Sequence, residues 1–362
     1  MLKKIFGFFI LLLYSLVIAT AAKHGALISV SSLTLGLVGL LTLIFFLSAV
    51  AQKISLVDIP DDFRKSHSGR IPLIGGAAIY ISIIYGTYIL GLDPFYRVLI
   101  FSLIPILIIG VIDDLKGMPV SIRIIAQIIS SWIVILATDI YLRDLGDLLG
   151  SGNIVLGNFG IPFTIFAAVG MCNAFNMLDG KDGLAGSVSM IVILGLFFLM
   201  TYQGNSYNYA IVLLLSLFIF LLFNLDIFGK ERKIFLGDHG ALGLGHIIAW
   251  NLIYLSQETG DLSPASALWF VVYPLTDALL TFLRRFRAGS QVFDADRQHF
   301  HHKLSDMGFS NNKILLVAVV ISVLGAFYAV LQNIFGLSKY ISFYLYVSIV
   351  VSIMVITTHK HN

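Results

Sequence analysis

Charge is what this sequence lacks most. Of its 362 residues 12% are charged, about half the share of an ordinary soluble domain, while 58% are hydrophobic and the mean hydropathy is +0.93. A soluble globular fold is excluded and an integral membrane protein is implied. An excess of either sign is lacking too: the net charge of +3 gives no indication of a nucleic-acid partner. The single cysteine, Cys172, sits in an apolar run. It excludes a disulfide framework and reads as a small buried hydrophobe. No polar stretch is long enough for a soluble domain or a disordered linker, and no internal repeat stands out.

What is there instead is a series of apolar runs. A spanning helix needs about 17–25 residues. Runs of that kind lie near 5–22, 27–51, 72–92, 95–112, 119–138, 158–176, 184–201, 208–225, 239–256, 264–283, 314–334 and 340–358. They predict an all-α polytopic membrane helix bundle of about 12 transmembrane helices. It forms one integral membrane domain over residues 1–362, with a catalytic region at 52–315. Lys3, Lys4 and Ala19-Thr20-Ala21 frame residues 1–26 like a signal peptide. An uncleaved extra span is the preferred reading, and cleavage would leave eleven. With twelve spans, only Lys23, Arg97, Arg143 and Lys339 of the 23 Lys and Arg fall on one side. The other side is therefore cytoplasmic, and every polar motif lies on it.

Five motifs interrupt the apolar runs. The first is Asp58-Ile59-Pro60 with Arg64-Lys65-Ser66-His67, where Lys65 and His67 suit phosphate contacts. The second is Asp113-Asp114. Adjacent carboxylates repel, the more so when desolvated, and a cation would relieve this, although a simple membrane stop fits as well. The third, Asn173-Ala174-Phe175-Asn176-Met177-Leu178-Asp179-Gly180-Lys181-Asp182-Gly183, puts Asp179 and Asp182 three apart, so that a helical turn would give them one face. The fourth is Phe235-Leu236-Gly237-Asp238, whose carboxylate serves either as a helix N-cap or as a metal ligand. Phe235 could stack on a nucleobase or anchor at the interface. The fifth, Asp294 to His302, follows Arg284, Arg285 and Arg287. Its His299, His301 and His302 could bind zinc, but the shortage of Cys and the abundance of Asp favour Mg²⁺ elsewhere, with the histidines gripping phosphate and the Arg297 fork matching diphosphate oxygens. Asp277, inside the tenth run beside Pro274, is either functional or a buried polar partner.

Together these motifs resemble the polyprenyl-phosphate N-acetylhexosamine-1-phosphate transferases (glycosyltransferase family 4), over roughly residues 50–315. Arg64-Lys65-Ser66-His67, Ile71-Pro72-Leu73-Ile74-Gly75-Gly76, Asn173-Ala174-Phe175-Asn176 and Asp296-Arg297-Gln298-His299-Phe300-His301-His302 are most similar to the WecA-type branch, which makes GlcNAc-1-phosphate lipids. The resemblance implies that undecaprenyl phosphate attacks a UDP-N-acetylhexosamine with release of UMP, beginning a lipid-linked glycan of the lipopolysaccharide or cell-wall kind at the inner membrane of a bacterium. It implies Mg²⁺, or Mn²⁺, on Asp113, Asp114, Asn176 and Asp238. Asp113, Asp114, Asp179 and Asp182 would be catalytic. Lys65, His67, Asn173, Asn176, Phe235, Arg297, His299, His301 and His302 would bind substrate. A homodimer is compatible with it. Where similar proteins continue after Gly-Asp with Ala or Thr, Gly and Ser, this chain has His239-Gly240-Ala241, so a hydroxyl is missing. The extra N-terminal span is a second departure. The rivals are a phospho-MurNAc-pentapeptide transferase and, from another class, a transporter of an anionic solute, which would place its charges nearer the midplane.

Overall fold

The computed structural model describes residues 30–59, 69–90, 93–205, 208–287 and 299–359. The first expected span, and the site candidates Lys65, His67 and Arg297, lie outside the described residues.

The described chain is almost entirely helical. Its helices are α1 (Val30–Ile54), α2 (Gly75–Leu90), α3 (Pro94–Ser102), α4 (Ile104–Lys116), α5 (Val120–Thr138), α6 (Gly160–Leu178) and α7 (Leu184–Tyr202). They continue with α8 (Asn208–Asn224), α9 (Asp238–Gln257), α10 (Pro264–Phe270), α11 (Val272–Arg287), α12 (Phe300–Asp306), α13 (Asn311–Phe335) and α14 (Lys339–His359). A two-residue antiparallel ribbon, Val57–Asp58 against Ile71–Pro72, precedes α2. Each apolar run from 27–51 onward is thus helical. Among the described residues, Pro94–Lys116, Val120–Thr138, Gly157–Leu178, Leu184–Tyr202 and Asn311–Phe335 are long and apolar enough to cross a membrane.

Local chemistry sets the ends of these helices. Asp93 caps α3 by accepting the Phe95 amide at 2.8 Å, with Pro94 in the first turn. Ser263 and Pro264 open α10 in the same way. The run at 95–112 is divided at Leu103, because Pro105 has no N–H to bond the Phe101 carbonyl. The tenth run departs further from expectation. The straight span expected at 264–283 is bent by 87° between α10 and α11. Pro274 cannot donate to the Phe270 carbonyl, which weakens the helix where the chain turns at Val271.

α9 is the innermost helix, buried along nearly all its length. Surrounded by protein, it tolerates His246, Asn251 and Trp250, which lipid would not. Two glycines on its neighbours bring backbones close to its start. A Cβ on Gly76 of α2 would collide with Gly240, and one on Gly110 of α4 would collide with His239. The start of α2 is further stitched to the segment before α9, since the Gly75 and Gly76 amides donate to the Phe235 and Leu236 carbonyls, each at 2.9 Å. Asn224 binds the same end together, accepting the Gly183 amide at 2.6 Å and donating to the Ile234 carbonyl at 2.9 Å. The end of α4, the turn between α6 and α7, and the start of α9 therefore meet at one end of the bundle.

Candidate active site

Asp113 and Asp114 sit in the last turn of α4, the negative end of the helix dipole and an unfavourable place for carboxylates. Each is compensated. Asp113 accepts the Met118 amide on Oδ1 at 2.5 Å and Arg123 Nη1 on Oδ2 at 3.0 Å. Asp114 accepts the Asp238 amide on Oδ1 at 3.0 Å and His239 Nδ1 on Oδ2 at 2.6 Å. Asp238 lies in the first turn of α9, where the dipole favours it. Its Oδ2 is 3.4 Å from the same Arg123 nitrogen, so one guanidinium serves two carboxylates. Asp238 is the most open of the three, with 37% of its side chain exposed against 7% for each of the others.

Two pKa shifts record the crowding. Burial, a hydrogen bond with Asp113 and the charges of Asp114 and Asp113 push Asp238 up to about 7, with Arg123 opposing. Burial, then Asp238, Asp114 and Asp182, hold the Asp179 carboxyl well above the usual range. Asp179 follows the end of α6 and belongs to this electrostatic cluster. Asp182 does not lie with it on a helical face: residues 179–183 form a non-helical turn, and Asp182 pairs with Lys233 Nζ at 2.6 Å. Lys233 also reaches Asp226 at 3.3 Å and lies 5.5 Å from the Phe235 ring. That places Phe235 and Asp182 on one wall.

The two asparagines of the third motif divide. Asn173 donates to Gln127 Oε1 and to the Val169 carbonyl, both at 2.8 Å, and so fastens α6 to α5. Asn176 Oδ1, three residues nearer the helix end, is buried with no hydrogen-bond partner. Such an oxygen wants a donor or a cation. Among the described residues no three His, Cys, Asp or Glu are arranged to hold a metal ion. The donor set nonetheless suits Mg²⁺ or Mn²⁺: it is all oxygen, carries excess negative charge, and includes the unpartnered Asn176 Oδ1. Mg²⁺ takes one or two carboxylates and completes its shell with water and phosphate.

The histidines form a second cluster beside the first. His301 is fully buried, neither ring nitrogen has a hydrogen-bond partner, and Nε2 would stand 3.0 Å from a Cβ on Gly180. That contact joins α12 to the turn after α6. Burial, then His302, lowers its pKa to about 3, leaving a neutral imidazole. The His301 and His302 rings lie 4.2 Å apart, and those of His299 and His301 5.8 Å. Asp277 carries this loop: its Oδ1 accepts the Phe300 amide at 2.7 Å, and its Oδ2 is 3.5 Å from His299 Nδ1. Thr281 Oγ1 lies 3.3 Å from that nitrogen. The intramembrane carboxylate is a buried polar partner that ties the histidine helix to α11.

Sequence reasoning missed Arg123, Gln127, Lys233 and His239. The first three lie outside the five motifs. His239 was visible as a departure from the pattern of similar proteins, but its partners lie far away in sequence.

The sequence pattern described as glycosyl transferase family 4 matches residues 96–256. The chain is 33% identical over 294 residues to an undecaprenyl-phosphate alpha-N-acetylglucosaminyl 1-phosphate transferase of Escherichia coli, covering 80% of each protein. It is 33% identical over 312 residues to the protein of that name in Haemophilus influenzae, covering 82% of this chain and 87% of that one. The Yersinia pestis protein so named is 33% identical over 291 residues, covering 78% and 79%.

Proposed function

This chain belongs to glycosyl transferase family 4, and from that premise we propose that it transfers GlcNAc-1-phosphate from UDP-GlcNAc to undecaprenyl phosphate. An oxygen of the lipid phosphate attacks the β-phosphorus of the donor. The bond from that phosphorus to the UMP oxygen breaks, UMP leaves with the electron pair, and a lipid diphosphate sugar forms. We place the reaction at the cytoplasmic face of a bacterial inner membrane. The uneven distribution of Lys and Arg supports that side, and a site at the helix ends is reached by a membrane-held phosphate and a soluble nucleotide alike.

The observation that carries this reading is the convergence of Asp113, Asp114, Asp179 and Asp238 beside the buried, unpartnered His301. Phosphoryl transfer is chiefly a matter of positioning and charge neutralisation. Asp113, Asp114, Asp238 and Asn176 would hold Mg²⁺ or Mn²⁺, which neutralises diphosphate charge and eases the departure of UMP. The remaining work falls to the chain itself. His301 offers an N–H donor to the diphosphate from a buried position, with His299 and His302 beside it. Lys233 holds Asp182 and underlies Phe235, the surface for the uracil. Arg123 balances Asp113 and Asp238 until substrate and cation enter.

The rival donor is UDP-MurNAc-pentapeptide. The sequence at 284–313 resembles the WecA-type branch and shows no extra segment for a peptide, which favours the smaller sugar. A transporter is disfavoured because the carboxylates gather at helix ends. Detergent-purified protein given undecaprenyl phosphate and a panel of radiolabelled UDP-sugars tests the choice. UDP-GlcNAc, or a close N-acetylhexosamine relative, should be the donor. Turnover of the pentapeptide donor alone would overturn it.

A further inference from the structure

His239 is fully buried, yet both its ring nitrogens are engaged. Nε2 lies 3.1 Å from the Ala77 amide at the start of α2, and Nδ1 lies 2.6 Å from Asp114 Oδ2 at the end of α4. A backbone N–H can only donate, so Nε2 must be the bare nitrogen. The proton then sits on Nδ1 and is donated to the carboxylate. The backbone amide thus selects the tautomer, and the tautomer makes His239 a donor aimed at Asp114. The surroundings hold the ring in place: Gly76, Gly110 and Gly237 each lack the Cβ that would collide with His239.

We propose that His239 is the positioning residue for Asp114. Both its nitrogens are engaged within the protein, and it acts through the carboxylate. With the Asp238 amide on Oδ1 and His239 on Oδ2, the plane of the Asp114 carboxylate is fixed. Asp113, held on Oδ1 by the Met118 amide, and Asp238 instead share one partly buried Arg123 on their other oxygens, a long side chain that can withdraw. The three carboxylates are therefore unequal: Asp114 is the fixed charge against which the other two rearrange. A carboxylate held from behind by an imidazole keeps its orientation as the charge before it changes, and this supports the reaction step more than substrate affinity. The inference rests on the reading that Asp114 belongs to the phosphotransfer site.

The test compares His239→Ala, His239→Asn and His239→Gln in detergent-purified protein with saturating Mg²⁺, varying UDP-GlcNAc and undecaprenyl phosphate in turn. An asparagine amide reaches the Nδ1 position and can still donate to Asp114. A glutamine amide reaches toward Ala77 and leaves Asp114 without its donor. His239→Ala and His239→Gln should lose about 10- to 100-fold in kcat, the worth of one charge-assisted hydrogen bond, with the KM for each substrate little changed. His239→Asn should recover most of that loss. If His239→Ala does not fold, the contrast of Asn with Gln stands alone. Equal losses in Asn and Gln, or a loss confined to KM, would overturn the proposal. ¹⁵N NMR of histidine-labelled wild-type protein reads the contact without turnover. An Nδ1–H tautomer at His239 that is perturbed in Asp114→Asn supports it, and an Nε2–H tautomer overturns it. A wild type that transfers no sugar phosphate, yet shows the Nδ1–H tautomer, would count against the proposed function and not against the contact.

Discussion

The two halves of the candidate site are built on opposite principles. At the carboxylate end every oxygen of Asp113 and Asp114 has a partner supplied by the protein, from Met118, Arg123, the Asp238 amide and His239. At the histidine end His301 is buried with both nitrogens unpartnered, and Asn176 Oδ1, near the end of α6, is left in the same state. Burying a polar group without a partner costs about 1–3 kcal/mol, a cost that an arriving ligand would relieve. Carboxylates crowded at the wrong end of a helix dipole cannot wait in that way. They must be compensated in the resting protein, and the compensation must be able to give way. One half holds a counter-charge in reserve, and the other holds buried donor and acceptor atoms without partners.

The sharpest way to break this comparison is at the carboxylates. Asp113→Asn, Asp114→Asn and Asp238→Asn should each lower kcat by at least about 10²-fold, and a chelator should abolish turnover. Near-normal turnover in Asp238→Asn would remove it from the charged half. The next effect lies at the histidines. His301→Ala should reduce kcat/KM for the UDP-sugar by about 10- to 100-fold and leave the KM for lipid phosphate almost unchanged. Stoichiometric zinc in the purified protein, with normal donor kinetics in the variant, would mean a structural metal site instead.

A pH titration of stability separates the halves further. His301 titrates near 3 in the folded chain and near 6.5 when unfolded. The unfolded state therefore binds more protons between those values, and stability falls as pH drops from about 6.5 toward 3. Asp238, raised to about 7, acts in the opposite sense between about 7 and 4. The difference between wild type and His301→Gln isolates the first effect. Thermal melts should show the wild type losing up to about 1.4 kcal/mol per pH unit relative to the variant. Parallel pH profiles would show that His301 is not buried as described. The smallest effect concerns Arg123. If Arg123 stands in for the proposed Mg²⁺ or Mn²⁺, its removal in Arg123→Gln should tighten Mn²⁺ binding by about fivefold, the scale of a partly exposed ion pair. Titration calorimetry on the purified protein measures it, and weaker binding would show that Arg123 supports the cation instead of standing in for it.

How legible each half was in the sequence follows from where its partners lie. Asp113-Asp114 and the stretch from Asn173 to Gly183 stood out because they end apolar runs, and a charge beside lipid is rarely idle. The bundle was legible for the same reason, since each apolar run from 27–51 onward became helix. The bend at Val271 was only half visible: Pro274 was noted, but a proline in a spanning run usually kinks it and does not turn it by 87°. The pairings were hidden. Arg123 and Asp238 are 115 residues apart, and His239 and Asp114 are 125. Nothing local in a histidine following Gly-Asp announces that its ring will be clamped between a helix start and a helix end. The separate fates of Asn173 and Asn176 were equally hidden, because both sit in one motif and only packing decides which faces Gln127.

Transfer of donor phosphorus tests the central claim most directly. Purified protein in detergent should be given undecaprenyl phosphate, Mg²⁺ and UDP-GlcNAc labelled with ³²P at the β-phosphorus, and the label followed into lipid and nucleotide. If carboxylates and histidines surround the donor diphosphate as described, the label enters the lipid fraction with the sugar and the nucleotide released is unlabelled UMP. Label remaining in released UDP, with sugar alone passing to lipid, would contradict the account.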